Sequence, residues 1–305
     1  MKRKIYDSMR KWEEENGRTA LLIDGARRVG KSYIAQEFTK REYKRYILID
    51  FNHAPAEITD LFVHYLNDFR VKRDILELYR ADIIKHTEGY QMKVAQIFDD
   101  IPAQLQKHDT KFKFSSLKKE ARFREYEDAL FWLSDAMITN ICYNSTAPNI
   151  GLKPNMDRMT LKCYMADTGL LISHAFDENG LVSEEIYKKL LFDKLEVNKG
   201  MIIENIVAQM LTASGHKLYF YSNPSRDDAS LRMEIDFLTA KSKISNRHNI
   251  SPIEVKSSKN YTLTSLRKFK GKYKDQLHIP YVLHPNDLKE EDGILFLPLY
   301  MTPLI

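Results

Sequence analysis

The sequence predicts an α/β protein, and three observations support this fold class. Apolar runs typical of buried strands alternate with a helical pattern within the first sixty residues. The middle of the chain has the pattern of three helices followed by two strands. The last third has the pattern of a helix, three strands, a second helix and further strands. We therefore expect three domains, at residues 1–69, 70–180 and 181–305.

The composition is that of an ordinary globular protein. The chain has 305 residues, enough for about two domains of typical size. Hydrophobic residues make up 43% and charged residues 29%. Lys and Arg number 47 against 42 Asp and Glu, a formal net charge of +5. This mild excess permits a polyanionic partner such as nucleic acid but does not require one.

Cysteine usage and hydropathy disfavour several classes of protein. The two cysteines, Cys142 and Cys163, form no C-x-x-C pair, which argues against a zinc ribbon or a disulfide framework. A reducing, cytoplasmic location is the simplest interpretation. The basic N-terminus has no apolar segment behind it, and no apolar run reaches the roughly 18 residues of a membrane helix. We expect neither a signal peptide nor a membrane partner.

The stretch GARRVGKS matches every fixed position of the phosphate-loop pattern G-x-x-x-x-G-K-[ST]. A strand-like run, TALLIDG, leads into it, a helical pattern follows, and YILIDF then resembles a second buried strand. This order is the context in which such a loop binds phosphate, whereas a chance match in a turn is the alternative. The residues expected to bind nucleotide are Gly25, Ala26, Arg27, Arg28, Val29, Gly30, Lys31 and Ser32.

The chemistry of a phosphate loop explains these residue types. Glycines let backbone N–H groups point at the phosphates, near the positive end of a helix. The Lys31 ammonium would reach the β- and γ-phosphate oxygens, and the Ser32 hydroxyl would bind Mg²⁺. The loop therefore predicts ATP and Mg²⁺ as cofactors.

The quoted loop region, together with FREYEDALFWL and CYMADTGLL further along, resembles the AAA-type ATPases of bacteria and archaea that carry a C-terminal domain of uncharacterised function. Members usually carry Gln where this chain has Arg28. The resemblance covers almost the whole chain and implies a P-loop ATPase domain followed by that C-terminal region.

The acidic half of an ATPase site is not found in the sequence. Hydrolysis needs an apolar strand that ends in carboxylates, of which one completes the Mg²⁺ site. Asp50 ends the strand directly after the loop helix, and Asp99-Asp100 falls in a helical pattern that includes Pro102. The related ATPases have a long stretch before VKRDILELYRADIIKH, so we expect an internal deletion near Asp68 to Val71. Nucleotide binding without rapid hydrolysis is the consequence.

The middle segment predicts a winged helix. Three helices, the last through Trp132, precede a strand, a Pro- and Gly-rich loop and a second strand. We expect the second helix to be interrupted near Pro102. Such modules bind DNA with one helix in the major groove and with the wing. Candidate phosphate contacts are Lys118, Lys119, Arg122 and Arg124, although a solvated basic face is the alternative.

The last third predicts a nuclease-like fold of the PD-(D/E)xK type. Asp236 lies on one predicted strand, with Glu234 on the same face and Ile235 and Phe237 on the other, and E-x-K on the next strand comprises Glu254 and Lys256. The two carboxylates would bind Mg²⁺, and Lys256 would position or activate the attacking water. Glu204 of the preceding helix could add a ligand or contact another ligand. The alternatives are an inactive copy of the fold and charged residues on a half-exposed sheet, where alternation places polar side chains towards solvent.

Three functional hypotheses follow. The first is an ATP-binding protein of the AAA type with doubtful hydrolysis. The second is a Mg²⁺-dependent nuclease that acts through the C-terminal domain. The third is a non-enzymatic module that binds DNA or protein.

Overall fold

Helices and strands alternate around a mixed sheet in the computed structural model, which confirms the predicted α/β class. The chain divides into two compact units, residues 1–67 and 68–305. The division lies next to the boundary expected after residue 69. The residues that the structure describes are 4–14, 31–44, 69–107, 111–148, 151–176, 199–225, 228, 232–240, 249–258 and 260–305.

The described part of the first unit consists of two helices, α1 (Lys4–Glu14) and α2 (Lys31–Glu42). Met9 of α1 packs against Ile34 and Phe38 of α2, and Phe38 is 1% exposed. The shared face of Ile34 and Phe38 is the one that the helical pattern predicts. The strands predicted at Thr19–Gly25 and Tyr46–Phe51 lie outside the described residues.

The second unit contains six described helices and eight described strands. The helices are α3 (Phe69–His86), α4 (Gln91–Gln106), α5 (Phe123–Asp135), α6 (Thr168–Phe176), α7 (Lys199–Ala213) and α8 (Thr264–Lys272). The strands are β1 (Thr139–Ser145), β2 (Met156–Met165), β3 (Tyr219–Asn223), β4 (Met233–Ala240), β5 (Ile250–Val255), β6 (Tyr281–His284), β7 (Lys289–Glu291) and β8 (Ile294–Pro298). Short 3₁₀ turns occupy Phe114–Ser116, Lys153–Asn155 and Leu299–Leu304.

All eight strands form one sheet in the order β2-β1-β3-β4-β5-β6-β8-β7. β1 runs antiparallel to β2 and parallel to β3, with Tyr143 opposite Tyr219. β3, β4 and β5 form an antiparallel meander, and β5, β6 and β8 are parallel. The sheet thus continues across the domain boundary that the sequence predicts at residue 180, because β1 pairs directly with β3.

Helices cover both faces of the C-terminal half of this sheet. Leu266 and Phe269 of α8 pack on one face, and Val207 and Leu211 of α7 belong to the cluster on the other. Apolar residues alternate between these two clusters along β3, as expected for a strand buried on both sides. Such a sheet holds its strands firmly, so side chains that they carry have well-defined positions.

The prediction that Ile235 and Phe237 share one face of β4 is wrong. Ile235 packs in the cluster of α8, whereas Phe237 packs in the cluster of α7. The β3–β4 register shifts between Tyr219 and Tyr221. An irregularity of this kind breaks the two-residue alternation, so residues two apart no longer face the same way.

The interruption expected near Pro102 is also wrong, because α4 continues through Pro102 to Gln106. Proline has no N–H, so the carbonyl of Phe98 four residues earlier loses its usual helical donor. The Nε2–H of His174 donates to that carbonyl at 2.9 Å, and the His174 ring stacks on the Phe98 ring. A tertiary hydrogen bond thus replaces the missing helical one. As predicted, Asp99 and Asp100 lie in this helix and not on a strand.

The elements from α3 to β2 follow the predicted order of three helices, a strand, a loop and a strand. α3, α4 and α5 enclose a core that includes Ile97, Phe98 and Leu133. Within the described part of the chain, no helix has the length and apolarity needed to cross a membrane.

Candidate functional site

A cavity of about 290 Å³ in the second unit is lined mainly by polar and charged side chains. It lies between β2, α7, β4 and β5. Six of its lining residues, which we call the charged cluster, carry ionisable groups close to one another: Lys162, Glu204, Glu234, Asp236, Glu254 and Lys256. Its volume lies just below the range of about 300–1,000 Å³ that is usual for ligand pockets.

The structure brings together the four candidate residues from the C-terminal third. Glu204 lies on α7, Asp236 on β4, Glu254 on β5, and Lys256 directly after β5. All four line the same cavity, although as many as 52 positions separate them in the chain.

The phosphate-loop candidates are mostly outside the described residues. Gly25 to Gly30 are not described, and of Lys31 and Ser32 only the backbone is, which forms the start of α2. Ser32 belongs to the first unit and the charged cluster to the second. ATP binding and a role of Ser32 in metal binding stay predictions.

Glu204 is held in position because its helix is tied to β2 and α6. The side-chain oxygen Oδ1 of Asn205 accepts the Met165 N–H at 2.9 Å. The side-chain amide Nδ2 of Asn205 donates to the Met165 carbonyl at 3.1 Å. The same amide donates to the Thr168 hydroxyl at 2.8 Å. Gln209, one turn later, accepts from the Thr168 N–H and hydroxyl, both at 2.9 Å. Asn205 is completely buried, so these bonds fix the rotation of α7.

Glu204 and Glu234 share a buried ammonium group. The Lys162 Nζ lies 3.0 Å from Glu204 Oε1 and 3.0 Å from Glu234 Oε1. The Tyr164 hydroxyl donates to the same Glu204 oxygen at 2.5 Å. Only 9% of the Lys162 side chain is exposed. Two residues of β2 therefore hold the carboxylate of Glu204.

The sequence analysis missed Lys162 and Tyr164 and assigned Glu234 no role. One signal for Lys162 was present in the sequence, since it is a single charge within the apolar run of LKCYM. A lysine in a buried strand needs a carboxylate partner, because an unpaired buried charge is very costly. The pattern gives no indication of which carboxylate that is, since the partners lie on a distant helix and strand.

Asp236 and Glu254 occupy neighbouring strands. The Val255 N–H donates to Asp236 Oδ2 at 2.8 Å, so the side chain of β4 reaches the backbone of β5. The Lys256 Nζ lies 2.5 Å from Glu254 Oε2, and the Lys256 N–H donates to the Leu283 carbonyl of β6. These contacts place the E-x-K sequence directly beside Asp236.

Burial raises the pKa of Asp236 well above its ordinary value, and the negative charges of Glu204 and Glu254 raise this pKa further. Burial also raises the pKa of Glu254, although the nearby Lys256 opposes the shift. The pKa values of Lys162 and Lys256 are raised too, because neighbouring carboxylates outweigh the burial that would lower them. Both lysines thus remain protonated at neutral pH.

The carboxylates of the charged cluster are of the ligand type that hard divalent cations prefer. Four carboxylates and two ammonium groups leave two negative charges in excess when all are ionised. Mg²⁺ is commonly bound through one or two carboxylates together with substrate phosphates and waters. Across the described ranges, no three His, Cys, Asp or Glu side chains are grouped so that they could hold a metal ion. Lys162 lies between Glu204 and Glu234, and the choice of carboxylates that would hold such an ion stays a prediction.

The two cysteines are buried, and burial raises the pKa of both thiols, that of Cys163 to about 12. A thiol with so high a pKa is a poor nucleophile and a poor metal ligand at neutral pH.

The basic candidates for DNA contacts are all exposed. Lys118 and Lys119 follow the Phe114–Ser116 turn, and Arg122 and Arg124 lie at the start of α5. Exposure is required for phosphate contacts and equally for a solvated surface, so their role in DNA binding stays a prediction.

Two family models match the chain. Residues 61–179 match a domain of unknown function (DUF8612), and residues 199–301 match a domain of unknown function (DUF4143). No curated protein and no solved structure shows a significant match. The charged cluster draws on both matched regions, because Lys162 lies in the first and the other five residues lie in the second.

Proposed function

We propose that the charged cavity is a divalent-cation-dependent site that hydrolyses phosphodiester bonds in nucleic acid. The observation that supports this proposal is the convergence of Asp236, Glu254 and Lys256 on one cavity with excess negative charge. These are the residues for which the sequence pattern predicts nuclease chemistry. Asp236 and Glu254 are the residues that hold the cation.

In the proposed hydrolysis, the bound cation and Lys256 have separate roles. A bound divalent cation supplies Lewis-acid polarisation of the phosphate and a more acidic water ligand. Lys256 keeps its proton because Glu254 raises its pKa, so it donates hydrogen bonds and is not a general base. It positions the attacking water and stabilises negative charge on the phosphate oxygens. The water oxygen bonds to phosphorus as the bond to the leaving oxygen breaks, the proton that the water loses passes to the solvent, and the solvent supplies the proton that the leaving oxygen takes up.

The surroundings of the cavity are compatible with a nucleic-acid substrate. Lys111 lies at the rim of the cavity and is exposed, so it is available to a phosphate outside the charged cluster. Positive charge attracts nucleic acid, and the chain has a net charge of +5. Four exposed basic side chains contribute to it: Lys118, Lys119, Arg122 and Arg124. DNA is the substrate that the predicted winged helix favours.

A cleavage assay tests this proposal. Labelled DNA and RNA, single- and double-stranded, are incubated with the full chain in Mg²⁺ or Mn²⁺. We expect Lys256→Ala to lower the cleavage rate by about 100-fold, as for the loss of one charge-stabilising donor. Lys274→Ala, which removes an exposed lysine outside the cavity, is the matched control. Cleavage that Lys256→Ala leaves unchanged argues against the assignment. Salt-dependent DNA binding without any cleavage favours a non-enzymatic DNA-binding module.

A second candidate function is nucleotide binding by the first unit. It is favoured by the position of α2, which begins at Lys31, so the last two residues of the phosphate loop form the first turn of a 12-residue helix. A helix N-terminus at this point supplies the partial positive charge that phosphates need. The resemblance to AAA-type ATPases and the DUF4143 match of the C-terminal region are compatible with this candidate.

Titration with a fluorescent ATP analogue tests the second candidate. We expect Lys31→Ala to weaken binding by about tenfold or more, since the lysine contacts the β- and γ-phosphates. Lys40→Ala removes an exposed lysine in the last turn of α2 and is the control. Equal affinity of Lys31→Ala and the unaltered chain counts against nucleotide binding at the loop. A steady release of phosphate that Lys31→Ala abolishes contradicts the expected lack of hydrolysis.

A further inference from the structure

The charged cluster contains one lysine that the E-x-K pattern does not require. We infer that Lys162 is an internal counter-ion that occupies the Glu204–Glu234 half of the cavity and competes there with a divalent cation. Consequently the cation is held by Asp236 and Glu254 alone, and Lys162 sets how tightly the cavity binds it. This inference rests on the proposed function and concerns the regulation of the same site.

The geometry of the ammonium group carries the inference. The Lys162 Nζ lies 3.0 Å from one oxygen of Glu204 and 3.0 Å from one oxygen of Glu234, so the ammonium occupies the space between the two carboxylates. It also lies 5.3 Å from the centre of the Phe220 ring, within the range of a cation–π contact. The ammonium is thus held from three directions.

The scaffold around Lys162 keeps the ammonium in that position. Its strand, β2, pairs with β1 along most of its length, with Cys142 opposite Lys162. Glu204 is fixed by the Tyr164 hydroxyl and by the Asn205 bonds that tie α7 to β2. A rearrangement that released Lys162 would leave a buried ammonium without its two partly buried carboxylate partners, which is costly. The pair is therefore present whether or not a cation is bound nearby.

Charge accounts for the effect on cation affinity. With all six groups ionised, Lys162, Glu204 and Glu234 together carry one negative charge, and Asp236, Glu254 and Lys256 carry another. A divalent cation beside Asp236 is attracted by the carboxylates but repelled by the Lys162 ammonium, and this repulsion is strong at short range in a poorly solvated site. Removal of the ammonium has two consequences: the repulsion disappears, and the oxygens of Glu204 and Glu234 become available to the cation.

Binding of Mn²⁺ to the full chain, followed by electron paramagnetic resonance without any nucleic acid, tests the inference. We expect Lys162→Met to bind Mn²⁺ about tenfold more tightly than the unaltered chain, or more. Lys217→Met, which removes an exposed lysine outside the cavity, should leave the affinity unchanged. Unchanged or weaker binding by Lys162→Met overturns the inference. If the unaltered chain and Lys162→Met both fail to bind Mn²⁺, the proposed function is overturned as well.

A second set of variants keeps the inference testable if Lys162→Met does not fold. Asp236→Asn, Glu204→Gln and Glu234→Gln each remove one negative charge from the same cavity, so they change its electrostatic field similarly. Asp236→Asn also removes a ligand of the cation, which weakens Mn²⁺ binding beyond this shared electrostatic effect. We expect Asp236→Asn to weaken Mn²⁺ binding about tenfold more than either glutamate variant. Equal or greater weakening by Glu204→Gln overturns the inference.

Discussion

The ammonium of Lys162 and the carboxylate of Glu204 lie 3.0 Å apart, although 42 positions separate the two residues in the chain. The pair joins β2, in the region matched by one domain model, to α7, in the region matched by the other. Further contacts of Asn205 hold these two elements together, and contacts elsewhere in the second unit lead to other measurable predictions. The first concerns Asn205, the residue next to Glu204.

Asn205→Ala is expected to lower the free energy of unfolding by about 2–4 kcal/mol. The substitution removes three buried hydrogen bonds and leaves the Met165 backbone N–H and carbonyl without the partners they have in α7. Urea denaturation followed by circular dichroism measures the loss. Gln209→Ala removes only the two bonds to Thr168 and should cost less. A larger decrease in the free energy of unfolding for Gln209→Ala than for Asn205→Ala would show that Asn205 is not the main anchor of α7.

His174→Phe is expected to destabilise the chain by about 1 kcal/mol, because it keeps an aromatic ring on Phe98 but removes the donor to the Phe98 carbonyl. In a Pro102→Ala background the cost should nearly vanish, since the alanine N–H supplies the helical donor that proline lacks. A double-mutant cycle in urea measures this coupling. Additive effects of the two substitutions would mean that the histidine does not compensate for the proline.

The buried carboxylate of Asp236 predicts a pH dependence of stability. Burial raises its pKa above the ordinary value of 3.8, so the folded chain holds this proton more tightly than the unfolded chain does. The resulting stability is complete below about pH 3.8 and is lost as the pH rises through the folded pKa. Asp236→Asn has no such titration, yet it retains an acceptor for the Val255 N–H.

The free energy of unfolding of Asp236→Asn, minus that of the unaltered chain, should therefore increase as the pH rises from about 4 towards 8. Urea denaturation at several pH values without divalent cations measures this difference. Taking the difference removes the contributions of groups that titrate alike in both chains. A difference that stays constant across the range would show that Asp236 is already ionised in the folded state.

Much of the fold was predictable because its signals are local. Apolar periodicity predicted α7 and α8, and Gly215, with a φ of 87°, ends the C-terminal turn of α7 as expected. The polar residues within apolar strands indicated Asp236 and Glu254. Two predictions from local spacing were wrong, namely the shared face of Ile235 and Phe237 and the interruption of α4 at Pro102. Both depend on tertiary structure, because neither a shift in strand register nor a distant donor to a carbonyl leaves a pattern in the neighbouring residues.

The rest of the site depends on long-range contacts. Lys162 and Glu234 enter the charged cluster only because the strand order brings β2 and β4 near the same helix, α7. The sequence separates the middle segment from the last third, whereas the β1–β3 pairing joins them in one sheet. Pairing of distant strands is set by the packing of the whole unit, and a pattern within one segment carries no information about it.

Cleavage by Asp236→Asn tests the central claim most directly, because this substitution alters a proposed cation ligand while the acceptor for the Val255 N–H is preserved. The rate of cleavage of labelled single-stranded DNA is measured in Mn²⁺ for the unaltered chain and for Asp236→Asn, with thermal melting to verify that both are folded. We predict cleavage by the unaltered chain and a rate about 100-fold lower for the folded variant. Equal rates for the two folded proteins would contradict the assignment of the charged cavity as the hydrolytic site.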